Sequence, residues 1–133
     1  MREILFKAKR IDNGEWIEGY VVRKHGLYFI YSIVNSESCR QNNYEIISET
    51  LCQFTGLCDK NGKRIWESDV VWLVCDGKEH IYQIVWDNSE LDFKAANGEE
   101  NYGTNYEYLL CCDEIKVIGN IFDQPELLQE GYK

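Results

Sequence analysis

Apolar and polar residues alternate with a period near two along most of this chain, the spacing of strands with one face in a core. In FKAKRIDNGEWIEGYVV, the residues Ile11, Trp16, Ile17, Tyr20, Val21 and Val22 flank Asp12-Asn13-Gly14. Asn and Gly tolerate positive φ, which a tight hairpin requires. The segment predicts two antiparallel strands, over roughly 3–11 and 15–23. Lys24-His25-Gly26 is a second turn, and LYFIYSIV at 27–34 is a third strand rich in aromatic and β-branched residues. Asn35–Asn43 is polar and reads as a loop, Tyr44–Ile47 as a short strand. Ser48-Glu49-Thr50 starts a turn, and LCQFTGL runs on to Leu57 with Gly56 at a bend or a positive-φ position.

The second half repeats the pattern. Asp59-Lys60-Asn61-Gly62 is a turn, Ile65 and Trp66 are apolar, and VVWLV at 70–74 predicts a buried strand. Asp76-Gly77 is a hairpin signal before HIYQIVW at 80–86. After a turn at Asn88–Glu90, LDFKAA is a strand and NGEENYGTN a polar loop, and YEYLL and IKVIGNIF are the last strands. A helix of about two turns is expected after Asp123-Gln124, with Pro125 at its first position and Gly131 at its end. About nine short strands and one short helix predict a mainly β protein. The expected architecture is a small antiparallel β-barrel or two packed β-lobes, with SH3-like barrel character in the second half and a short C-terminal helix. The chain reads as one domain over 1–133, with an N-terminal lobe over about 1–47 and a C-terminal lobe over about 48–133.

Charge sharpens this division. The chain has 133 residues and a formal net charge of −9. Residues 1–57 balance seven bases against seven acids, so residues 58–133 carry all of the net charge. Such a surface repels phosphate backbones at long range. It serves solubility, or it imitates nucleic acid or meets a basic partner. No stretch is long and apolar enough for a membrane span, and MREILFKAKR lacks the apolar run of a secretory signal. The expected compartment is the cytoplasm.

Six cysteines, Cys39, Cys52, Cys58, Cys75, Cys111 and Cys112, form no CxxC pair. In a reducing compartment they are expected to be free thiols buried as small hydrophobes, not disulfides. A zinc site is disfavoured, because adjacent cysteines on a strand point to opposite faces and His25 and His80 are far apart in sequence. Glu67 and Asp69, two apart, would share one face of an extended strand, where a carboxylate pair can bind a metal or act as acid and base. The simpler reading is that they end a strand or accept turn N–H bonds. The chain contains no GxxxxGK, GxSxG or HExxH. No enzyme activity, metal or cofactor is expected.

The remaining resource is aromatic. Trp16 and Tyr20 fall among Lys7, Lys9, Arg10 and Arg23, and these six form the candidate interaction surface. Aromatic strand faces pack against proteins and also stack single-stranded bases.

The segments REILFKAKRIDNGEWIEGYV, IISETLCQFTGLCDKNGKRIWESDVV and VIGNIFDQPELL, in that order, resemble the YopX family of phage and prophage proteins. The resemblance implies a mainly β fold and a phage or prophage origin, and it carries no catalytic residue onto this chain. The family pattern has glycine where Ala8 and Ser68 stand, and asparagine where Gln124 stands. A glycine that needs positive φ would leave a substituted alanine or serine strained. A backbone that is ordinary or has adjusted is the expectation at both positions.

Taken together, these readings predict a non-enzymatic phage accessory protein acting through protein–protein contact. Its expected partners are itself, as a homo-oligomer, and an unidentified host or phage protein. The alternative is a nucleic-acid-facing module, either a weak single-strand binder through the N-terminal sheet or an acidic DNA mimic.

Overall fold

The computed structural model describes residues 3–32, 43–97 and 106–130. Among these, eleven strands and one short helix follow in order. They are β1 (Phe6–Lys9), β2 (Trp16–Lys24), β3 (Leu27–Ser32), β4 (Asn43–Glu45), β5 (Cys52–Cys58), β6 (Arg64–Trp66), β7 (Asp69–Cys75), β8 (Lys78–Asp87), β9 (Asp92–Ala96), β10 (Tyr106–Tyr108), β11 (Glu114–Asn120) and α1 (Glu126–Glu130). The protein is mainly β and antiparallel, as its alternation predicts. The expected ends of the third strand, most of the loop at 35–43, the polar loop after Asn97 and the Gly131 stop lie outside the described residues.

The chain forms two compact units, Met1–Phe54 and Thr55–Lys133, whose boundary falls inside β5. In the first unit the hydrogen-bonded order is β4-β3-β2-β1-β5. Ala8 pairs with Ile17 and Val21 with Ile30, and one sheet face buries Ala8, Ile30 and Ile46 against Ile17, Val21 and Leu51. His25 and Gly26 both take positive φ, which turns β2 into β3 with the twist a two-residue hairpin needs. Gly19 of β2 lies so close to β3 that a Cβ there would meet the Tyr31 carbonyl oxygen.

In the second unit β6 neighbours β5, and a separate sheet has the order β10-β9-β8-β7-β11. Ile65, Val71, Leu73, Ile84, Ala95 and Leu109 fill its core. Asp76-Gly77, both at positive φ, turn β7 into β8. The expected barrel is not found among the described residues: this sheet is open, with β10 and β11 at its edges. β10 pairs along all three of its residues with β9, and no described residue pairs it with β11.

Two further expectations are corrected. Cys75 and Cys112 are not free thiols but form a disulfide, with Cα atoms 4.5 Å apart. A 3-10 turn at Leu109–Cys111 brings Cys112 beside the end of β7, where the Asp113 N–H donates to the Val74 carbonyl at 2.8 Å. Of the free cysteines described, only Cys52 is buried, and Cys58 and Cys111 are exposed. The backbone at Ser68 is not ordinary either. It has φ +73°, held there by its N–H on the Ile84 carbonyl and its carbonyl under the Ile121 N–H. Ala8 has no positive φ and sits in β1.

Candidate interaction surface

Strand register decides which of the six candidate residues share a face. Lys9 pairs with Trp16 and Lys7 with Glu18, so Lys7, Lys9 and Trp16 lie on the outer face of the first unit's sheet, away from Ala8. Tyr20 continues that face and is opposite Tyr31, with Val22 opposite Phe29. Both lysine ammoniums stand over the Trp16 ring, at 4.7 Å for Lys7 and 5.5 Å for Lys9. Such contacts bind the alkyl stems to the ring while the charges stay wet. Tyr20 is 57% exposed and Leu27 47%.

Arg23 and Arg10 belong to the opposite face. Arg23 pairs with Tyr28 and stacks 5.5 Å above its ring, at the end of the core face. Arg10 bridges Ile46 and lies 3.9 Å from the Tyr44 ring centroid. The Arg10 guanidinium also grips Asp12 at 2.6 and 2.9 Å, and this hydrogen bond holds the Asp12 carboxyl below its ordinary range. The six candidates are therefore two groups on two faces. Phe29 and Tyr31 join the outer group, and the alternation of LYFIYS against β2 would have identified them once the register was known.

In the second unit Glu67 and Asp69 do not line one extended face, because the turn at Ser68 separates them. Asp69 is 3% exposed and its Oδ2 accepts the Trp66 N–H at 2.8 Å. Among the described residues no group of three or more His, Cys, Asp or Glu is placed to hold a metal ion.

Three other charged side chains are built into this unit, and composition alone does not reveal them. Asp59 is buried, its Oδ1 accepting the N–H groups of Asn61 and Lys63 and its Oδ2 that of Val117, each at 2.9 Å. Burial pushes its carboxyl up, but the three N–H donors and the Lys63 charge outweigh it and hold the pKa below the ordinary 3.8. Lys94 is 2% exposed, paired with Asp87 at 2.7 Å and with Glu90, and its ammonium is 4.4 Å from the Tyr106 ring centroid and 5.0 Å from that of Tyr108. Hydrogen bonding to Asp87 and then Glu90 raises the Lys94 pKa, and the same bonds depress both carboxyls. The Tyr108 hydroxyl donates to Glu90 at 3.0 Å, and its contacts with Tyr106 and Glu90 push its pKa up to about 12. Every buried polar side-chain atom described has a hydrogen-bond partner.

No helix among the described residues is long and apolar enough to cross a membrane. No curated protein matches the sequence. Among solved structures, the chain is similar to the crystal structure of protein EF1440 from Enterococcus faecalis, at 21% identity and a TM-score of 0.58, with 96% of this chain and 99% of that one covered. That likeness shows a shared fold. A family profile described as YopX protein matches residues 5–129, nearly the whole chain. The chain belongs to the YopX family.

Proposed function

We propose that this protein is a non-enzymatic interaction module, encoded by a phage or prophage and acting in the cytoplasm of its bacterial host. It self-associates, and it meets an unidentified host or phage protein, through the outer face of β1–β3. The observation that carries the reading is the exposure of Tyr20 and Leu27 on that face beside the half-buried Trp16, Val22, Phe29 and Tyr31. Aromatic side chains clustered on a rigid sheet, rimmed by lysines, have the composition of protein interfaces. Light scattering across micromolar concentrations tests it. The mass is expected to rise with concentration for the wild type and to stay monomeric for Tyr20→Glu. A wild-type monomer at every concentration would overturn self-association.

The Lys7–Trp16–Lys9 cluster supports a second reading, a weak single-strand binder on the same face. Binding of a single-stranded oligonucleotide that falls steeply with salt, and is lost in Trp16→Ala, would favour it. An acidic mimic would instead ignore DNA and compete with it for a host protein.

A further inference from the structure

We propose that the outer face of the second sheet carries a binding site for a planar aromatic ring bearing a phosphate, centred on Trp72. A cavity of ≈ 420 Å³ opens there, lined by Lys60, Trp72, Ile81, Lys116 and Ile118. Its size is that of ordinary small-ligand pockets, which start at about 300 Å³. The register explains the grouping: Trp72 of β7 pairs with Lys116 of β11 on one side and Ile81 of β8 on the other, so the three share a face. The opposite face of β7 holds Val71 and Leu73 in the core, which makes the floor of the cavity rigid.

The parts are positioned. The Trp72 indole N–H donates to Glu79 Oε1 at 3.1 Å, which fixes the plane of the ring. Lys60 stands 5.7 Å from the ring centroid. It is held there because its own N–H donates to the Ile115 carbonyl at 2.9 Å and the neighbouring Asp59 anchors to Val117 of β11. The buried Asp59 thus fastens a cation-bearing turn to the strand that supplies the second cation, Lys116. Both lysines are exposed, in the half of the chain that carries all of the net negative charge.

The chemistry follows from the arrangement. A flat ring stacks on Trp72 between Ile81 and Ile118, and its phosphate meets two ammonium groups. Lys60 also contacts Glu114 at 3.5 Å, an exposed pair whose strength in water is small, so a doubly charged phosphate displaces it. The acidic surroundings repel a long polyanion, which favours a small ligand over a strand. Free nucleotides and the end of a nucleic-acid strand present the same ring and phosphate, and experiment separates them.

The test is calorimetric titration of the full chain with adenosine monophosphate, adenosine, inorganic phosphate and a single-stranded deoxyadenylate decamer. Adenosine monophosphate is expected to bind, with adenosine and phosphate each weaker by about tenfold or more. Trp72→Leu should weaken it by about tenfold or more, while Trp72→Phe keeps most of the affinity. Lys60→Gln combined with Lys116→Gln, both on the surface, should lower the affinity and remove its salt dependence. Trp86→Leu should change nothing. A decamer that binds more tightly per nucleotide than the monophosphate identifies a strand as the source of the ligand, and the reverse identifies the free nucleotide. Absence of binding at about 1 mM monophosphate, or equal affinity in a folded Trp72→Leu or double lysine variant, would overturn the proposal.

Discussion

The two units spend their polar residues differently. In the first, the only described buried polar residue is Thr50, whose hydroxyl accepts the Lys9 N–H and donates to the Ile47 carbonyl. Lys7, Lys9, Arg10 and Arg23 lie on the two sheet faces, against the rings of Trp16, Tyr44 and Tyr28. In the second, Asp59, Asp69, Asp87 and Lys94 are buried, and each fastens a turn or a sheet edge. The difference has a physical reason. A meander joined by tight hairpins satisfies its backbone through its own ladder, whereas the turn at 59–63 turns its Asn61 and Lys63 N–H groups inward to the Asp59 side chain. A carboxylate with several lone pairs is the compact solution.

This contrast predicts different ways to break each unit. Gly19→Ala attacks the ladder of the first: the added methyl meets the Tyr31 carbonyl, which cannot move without parting β2 from β3. The expected loss is about 3 kcal/mol by denaturant unfolding. Asp59→Ala attacks a turn of the second and leaves the Val117 N–H buried without its acceptor. About 2 kcal/mol should be lost, with faster hydrogen exchange at Val117 than at Ile30.

Acid should separate the units without a mutation. The buried Asp59 and Asp87 have folded pKa values below their ordinary ones, 3.8 for each. Their contribution is fully present above those ordinary values and is lost as pH falls below them, through the folded-state values. The amide signals of the second unit should therefore collapse first as pH is lowered from about 5. In the first unit the depressed carboxyl of Asp12 is exposed and contributes little. Simultaneous collapse of both units would erase the distinction.

The smallest effect sharpens the picture at one residue. Ser68 takes a left-handed backbone that costs a side-chain-bearing residue about 1 kcal/mol. Ser68→Gly relieves this and raises unfolded-chain entropy, so a net gain of about 0.5 kcal/mol is expected from denaturant midpoints.

Much of this was legible along the chain. The hairpins at Gly14, His25-Gly26 and Asp76-Gly77 rest on residues that tolerate positive φ, and the strands around them rest on period-two alternation. The candidate interaction surface was legible only in part. Lys7, Lys9, Trp16 and Tyr20 share a face because they pair in register, and Arg10 and Arg23 fall on the other face for the same reason. One residue of register exchanges the faces, and composition holds no information on that choice.

The sequence by itself determined the mainly β class, the turns, the uneven charge and the absence of a familiar catalytic motif, because each depends on neighbours within a few positions. Tertiary structure alone decided the open sheet, the Cys75–Cys112 bond, the burial of Lys94 and the meeting of Trp72 with Lys60 and Lys116. These depend on groups far apart in the chain, brought together by strand pairing and core packing, whose energies no local pattern records.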